Sequence, residues 1–233
     1  MKYRVSRVLA GPFLYGLWRP EITGSEHIPS SGGAILASNH LSVVDSIFLP
    51  LMLSRPVTFA AKSEYFTGTR LLDRFTSVYL RATGQLSVDR AGARAGQDML
   101  DSALGLLRDG ALFGIYPEGT RSPDGRLYRG RTGIGWLALN ARVPVIPVAM
   151  VGTDRVLPPG HRVPRFRKIR IRIGEPLTFD AYQRTGARER RAVTDEVMKS
   201  IQMLSGQEYV PMYASVRKEE LAAAVRPALP RAS

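Results

Sequence analysis

At 233 residues, 44% of them hydrophobic and with charge spread along its length, the chain suits one globular α/β domain with a sizeable core rather than disorder. It has no cysteine and three histidines (His27, His40 and His161), which excludes disulfides, thiolate nucleophiles and Cys-ligated metals, argues against a His-rich metal site and fits a reducing compartment. The formal net charge of +13, from 33 Lys+Arg against 20 Asp+Glu, calls for an anionic partner: nucleic acid, an acidic lipid surface or a phosphorylated substrate.

Residues 2–19 read KYRVSRVLAGPFLYGLWR. Val5, Val8, Leu9, Pro12, Phe13 and Leu17 share a helical face, with Lys2, Arg4 and Arg7 gathered at the start. The run is too short and interrupted to span a bilayer, which needs about 20 apolar residues, and it lacks the apolar core and cleavage site of a secretory signal. It reads as an interfacial element with Phe13, Tyr15 and Trp18 at headgroup level, or as a helix packed on the domain's own core. Pro12 argues for a break within it on either reading.

From Gly32 onward strand and helix signals alternate. Residues 33–38 (GAILAS) predict a buried strand entering a loop, and 44–53 (VDSIFLPLML) a helix opening near Asp45, with Pro50 placed awkwardly inside it. A strand at 57–61, a short helix at 64–76, a strand at 86–88 and a helix at about 92–108 follow, the last with Leu100, Ala103, Leu104 and Leu107 as its stripe. Residues 111–116 predict a strand, 131–141 a helix and 143–151 another strand. Pro144 and Pro147 make Val143–Val148 an irregular strand rather than part of a central ladder. In 165–173, Ile169, Ile171 and Ile173 alternate with Lys168, Arg170 and Arg172, giving one apolar and one cationic strand face, the latter either solvated or facing anionic headgroups. A helix at 188–204 carries Val193, Val197, Ile201 and Leu204 on one side, and the final residues read as loose. The alternation predicts an α/β sheet covered on both faces, with ligands collecting where strands give way to loops.

Two polar clusters fall at such places. His40 follows a predicted strand and precedes Asp45 by five residues. Histidine is suited to act as a general base near neutral pH, and a carboxylate on one ring nitrogen fixes the tautomer and stabilises the imidazolium. Five residues do not share a helical face, so the pair meets only if the loop turns back onto the helix start. Otherwise it is a loop histidine and a helix-capping aspartate. The second cluster, Tyr116-Pro117-Glu118-Gly119-Thr120-Arg121-Ser122, leaves a predicted strand. Gly119 lets a ligand approach the backbone, Thr120, Ser122 and free amides suit phosphate oxygens, and Arg121 offers a planar fork, with Glu118 available to orient it or to bind a hydroxyl.

With these clusters on view, the chain resembles the glycerolipid acyltransferases that include 1-acylglycerol-3-phosphate acyltransferase. Four ordered blocks carry the resemblance. Asn39-His40-Leu41-Ser42-Val43-Val44-Asp45 matches the His-x4-Asp block, and Gly84-Gln85-Leu86-Ser87-Val88-Asp89-Arg90 resembles a block ending in an acceptor-binding arginine. Tyr116–Arg121 and Val143–Val148 supply the other two, and Phe59-Ala60-Ala61-Lys62 resembles a stretch with a substrate-facing lysine. The chain departs from the family at polar Gln85 and Ser87, and in having Arg129 before Gly130 where a lysine is common.

The resemblance implies a mixed β-sheet flanked by helices, glycerol-3-phosphate acyltransferase-like, over 21–210. Residues 1–20 are then a membrane-surface segment and 211–233 a tail. It further implies direct acyl transfer from acyl-CoA or acyl carrier protein as co-substrate, without cofactor or metal. His40 would be the base and Asp45 its partner, with Lys62, Arg90, Glu118, Gly119, Thr120, Arg121 and Arg129 around a lysophosphatidate acceptor or, alternatively, glycerol 3-phosphate, another lysophospholipid or a glycolipid. The expected setting is the anionic cytoplasmic face of the cell membrane, peripheral or monotopic. A Ser-His-Asp hydrolase is disfavoured because Ser42 lies two residues from His40 and no Gly-x-Ser-x-Gly elbow occurs. Nucleic-acid binding is disfavoured because the basic strand lacks interleaved aromatics.

Overall fold

A computed structural model describes residues 11–63, 77, 80, 84–88, 94–158, 161 and 163–225. Its main sheet has seven strands: β1 (Glu21–Thr23), β2 (Ala34–Ser38), β3 (Val57–Lys62), β4 (Leu86–Val88), β5 (Leu112–Ile115), β7 (Val145–Val151) and β8 (Arg170–Ile173). They lie side by side in the order β1-β8-β7-β2-β5-β3-β4. The pairs β7·β2, β2·β5, β5·β3 and β3·β4 are parallel, and β8 runs antiparallel to β7. A second pair of strands, β6 (Leu127–Tyr128) and β9 (Tyr209–Val210), is parallel. The helices are α1 (11–18 among the described residues), α2 (Asp45–Met52), α3 (Ala95–Arg108), α4 (Gly133–Ala141), α5 (Thr153–Val156), α6 (Ala187–Ser205) and α7 (Ala214–Val225).

The central strands are continuous apolar runs because helices cover both faces of a parallel sheet. In β2, Ala34 and Leu36 pack with Phe48 and Leu49 of α2, whereas Ile35 and Ala37 face Leu107 of α3, Leu137 of α4 and Val197 of α6. The chain therefore leaves β2 toward one face, through α2, and leaves β5 toward the other, through α4. Adjacent strands whose connections diverge in this way open a crevice at their carboxyl ends, and ligands of open α/β sheets settle there.

The strand around Pro147 is not irregular. β7 runs seven residues, wholly buried but for Val151, and pairs on both edges. The Pro147 oxygen accepts from Gly174 N–H at 2.8 Å, so its nitrogen faces β8 as well. There the β8 ladder has just ended, at Val148↔Ile173, and the missing donor removes one half of a terminal bond pair. Gln85 is also accommodated: its side chain accepts from Phe59 N–H at 2.7 Å and donates to the Val57 carbonyl at 3.3 Å, extending the sheet beside β4.

α1 packs on the core along one side. Leu14 and Trp18 pack on the core, Trp18 edge-on to Phe48 with centroids 5.8 Å apart, and its indole N–H donates to the Arg165 carbonyl at 2.9 Å. Phe13 and Leu17 point outward, 65% and 38% exposed. The described part is continuous through Pro12, so no break falls between 11 and 18. The helix read at 64–76 lies outside the described residues. Residues 211–233 are not simply a tail: α7 occupies 214–225, with Ala214 buried.

Candidate active site

The crevice between β2 and β5 is lined by the two polar clusters. Asp45, the first residue of α2, turns its carboxylate back over the preceding loop. Oδ2 accepts from Leu41 N–H at 2.7 Å and from Ser42 N–H at 2.8 Å, and it meets His40 Nδ1 at 2.9 Å. These backbone bonds make the sharp return that a five-residue spacing requires. The carboxylate is fully buried, and the ring remains partly exposed. With Nδ1–H directed at the carboxylate, Nε2 is the nitrogen left to take a proton, and no bond to it is formed among the described residues.

Aromatic packing fixes the plane of the ring. His40 stacks on Tyr116 with centroids 3.9 Å apart and planes within 10°, and Tyr116 stacks in turn on Phe59 at 5.1 Å. Gly114 makes this stack possible, since a Cβ on it would overlap the Phe59 ring. Tyr116 OH meets Ser46 Oγ at 3.0 Å, and Ser42 Oγ donates to the Leu157 carbonyl at 3.0 Å. Among the described residues Ser42 makes no bond to His40 of the kind a Ser-His-Asp hydrolase would require.

The 117–122 turn is tied to the histidine through the backbone. His40 N–H donates to Glu118 Oε1 at 3.0 Å, and Ser122 N–H donates to the His40 carbonyl at 2.7 Å. Glu118 Oε2 accepts from Tyr128 N–H at 3.0 Å. This differs from the sequence expectation: Glu118 is buried, both its oxygens are taken by backbone amides, and no ion pair joins it to Arg121 among the described residues. Burial pushes its carboxyl up to about 7, against the opposing pull of the Tyr128 and His40 amides.

Gly119 adopts φ +73°, a conformation that favours glycine, and Arg131 lies across it. The amides of Thr120 and Arg121 have no backbone partner among the described residues. Arg121 is exposed, and its guanidinium forms no ion pair there. Arg129 instead stacks on Tyr213 at 5.7 Å, and Arg131 is held against the turn at Gly119. Only the backbone of Lys62 is described, at the end of β3, and Arg90 lies outside the described residues.

Beside the His40 loop a cavity of about 460 Å³ is bordered by Leu41, Gly152, Arg155, Arg167, Lys168 and Arg170. Part of its wall is Lys168 and Arg170 of the cationic face read at 165–173. Lys168 and Arg170 of that face both pair with Glu21 of β1.

The histidine held by a buried carboxylate thus lies beside the 117–122 turn at a strand switch point. Residues 19–151 match the sequence profile of the family described as Acyltransferase. The chain belongs to this acyltransferase family. Among relatives, a chloroplastic 1-acyl-sn-glycerol-3-phosphate acyltransferase of Brassica napus is 29% identical over 74% of this chain and 49% of its own length. A 1-acyl-sn-glycerol-3-phosphate acyltransferase of Bacillus subtilis is 27% identical over 76% of this chain and 83% of its own. The chain thus spans about half the length of the chloroplastic relative and most of the bacterial one. The crystal structure of the 1-acyl-sn-glycerophosphate acyltransferase PlsC of Thermotoga maritima shares the fold, with a TM-score of 0.60 and 24% identity over 88% of this chain and 84% of that one. The family match ends at β7, so β8, α6, β9 and α7 lie beyond it.

Sequence reasoning missed three contributors to this site. Tyr116 supports the histidine, Asn39 locks the loop, and Lys218 reaches the turn from α7. Asn39 is buried, its Oδ1 accepting from Met150 N–H at 2.7 Å and its Nδ2 donating to the Met150 carbonyl at 3.0 Å and to Gln207 Oε1 at 2.7 Å. A buried amide adjoining a strand end was the available signal for Asn39.

Proposed function

We propose that the protein transfers a fatty acyl group from a thioester, acyl-CoA or acyl carrier protein, to the free hydroxyl of 1-acyl-glycerol-3-phosphate. The observation that carries this reading is the 2.9 Å contact of His40 Nδ1 with the buried Asp45 carboxylate, in a crevice shared with the 117–122 turn. His40 Nε2 takes the hydroxyl proton as the oxygen bonds to the thioester carbon. The C–S bond then breaks, and the imidazolium returns the proton to the departing thiolate. Asp45 keeps the tautomer and stabilises the positive ring, and the Tyr116 face beneath it adds a cation–π attraction. A thioester carries its own good leaving group, so no covalent enzyme intermediate is needed. Arg121, the Thr120 hydroxyl and the free amides of the turn hold the acceptor phosphate.

The protein works peripherally on an anionic membrane surface. Phe13, Tyr15 and Leu17 of α1 are exposed, as are Val163 and Phe166, and Phe166 meets Trp18 of the same helix at 5.3 Å. Basic Arg165, Arg167 and Lys168 flank them, the combination that interfacial segments use. Among the described residues no helix is long and apolar enough to cross a membrane.

The test is purified protein offered a panel of acyl-CoAs and acyl carrier protein thioesters with lysophosphatidate or glycerol 3-phosphate, the products identified by position. Phosphatidate formation from lysophosphatidate is expected. Transfer confined to glycerol 3-phosphate would move the reading to the alternative acceptor, and no transfer to either would refute it.

A further inference from the structure

We infer that Lys218 of α7 completes, with Arg121, a two-cation site that selects a phosphate monoester, a dianion, as the acceptor's head group. This rests on the acyl-transfer reading above and extends it to a part of the chain beyond the family match. Lys218 Nζ donates to Thr120 Oγ1 at 2.6 Å, which brings a second positive charge onto the turn that carries Arg121. Burial and the neighbouring Arg121 charge hold the ammonium below the usual lysine range, with Glu118 opposing.

The carboxylates around this pair are already engaged. Glu118 accepts from two backbone amides. Asp124 takes Arg126 at 2.7 Å and Tyr128 OH at 2.8 Å, and Glu220 takes Arg217 at 3.0 Å. Neither Lys218 nor Arg121 has an ion-pair partner among the described residues. Two like charges gathered on one turn, with only the backbone-bound Glu118 carboxylate opposing them, are mutually repulsive, and an anion seated between them removes the repulsion. A phosphate monoester carries nearly two negative charges at neutral pH, whereas a phosphodiester carries one. The site therefore favours a terminal phosphate over the diester head group of other lysophospholipids.

α7 is docked firmly enough to hold a ligand-binding side chain. β9, just before it, pairs with β6 at Leu127↔Tyr209 and Tyr128↔Val210. Arg129 N–H donates to the Met212 carbonyl at 2.9 Å, and Arg131 donates to Ser215 Oγ at 3.1 Å. Arg131 also stacks on Tyr213 at 5.1 Å, so the residue lying over Gly119 is anchored in the approach to α7.

Two measurements on the full chain test the inference, with Lys218→Gln and the charge-preserving Lys218→Arg. The first is equilibrium binding of glycerol 3-phosphate, which needs no turnover. Lys218→Gln is expected to weaken it about tenfold or more, as for loss of a charge-assisted bond, and Lys218→Arg to recover most of the loss. The second compares acceptor KM for lysophosphatidate and for a lysophosphodiester such as lysophosphatidylglycerol. Lys218→Gln is expected to raise the first far more than the second, acting on KM more than on kcat. Unchanged glycerol 3-phosphate binding, or equal effects on both acceptors, would overturn the inference. If wild type binds glycerol 3-phosphate in a Lys218-dependent way but transfers no acyl group, the acyl-transfer reading fails and the anion site stands.

Discussion

Glu118→Gln separates a clamp on the histidine loop from a substrate ligand. The substitution preserves shape, but glutamine has one acceptor where two backbone amides, His40 N–H and Tyr128 N–H, now find one each at 3.0 Å. One amide is left facing an NH2 group, at a cost of about 1–3 kcal/mol. The change also removes a buried charge. The folded carboxyl sits at about 7 against an ordinary value of 4.5, raised by desolvation. A raised carboxyl contributes stability that is fully present below the unfolded value and is lost as pH rises through the folded one. From those two values the loss in wild type is under about 1 kcal/mol at pH 5 and about 3 kcal/mol at pH 8. The glutamine variant has no such loss. Its deficit relative to wild type should therefore shrink by about 2 kcal/mol from pH 5 to pH 8, as read by urea unfolding at the two pH values. In steady-state assays the damage should fall on kcat, since displacing a catalytic group by about 1 Å costs up to roughly a hundredfold, while acceptor KM holds. A pH-independent stability gap would refute the buried-carboxylate reasoning. A large rise in acceptor KM with kcat preserved would return Glu118 to the substrate.

Gly114→Ala places a methyl group into the Phe59 ring, and overpacking of this kind costs about 1–3 kcal/mol. Because Phe59 supports Tyr116 and Tyr116 supports His40, activity should drop beyond what the lost stability explains; a variant destabilised yet fully active at low temperature would show that the stack is only packing. Phe13→Ser combined with Leu17→Ser removes two exposed apolar groups without touching the core contacts of Leu14 and Trp18. Sedimentation with anionic liposomes should show weaker binding and an unchanged melting temperature, and equal binding would remove α1 as the membrane contact.

The parts of the fold most legible in the sequence were those whose environment is simplest. β2, β5 and β7 read as apolar runs because both their faces are buried, and α3 and α6 read from a single stripe against the sheet. The His40–Asp45 and 117–122 clusters were each visible, but their meeting was not. It depends on β2 and β5 being neighbours, with 78 residues separating His40 from Glu118. Pro147 misled because its cost depends on where the partner ladder ends, which is a property of β8. The bonds of Glu118 to two backbone amides have no local signature in the sequence, because both partners come from elsewhere in the fold. α7 was missed for a different reason: ASVRKEELAAAV has strong helix formers but no apolar stripe, so periodicity is silent where propensity was informative. Its role at the turn is carried by one lysine arriving from 98 residues away in sequence.

The most direct test of the account is thioester consumption by His40→Ala. The chain has no cysteine, so released thiol can be titrated without background from the protein. With lysophosphatidate as acceptor, the variant should lose activity by about 10²–10⁴-fold or more, while circular dichroism and the unfolding midpoint stay near wild type. Turnover retained within about tenfold by a folded His40→Ala protein would contradict the proposed general base.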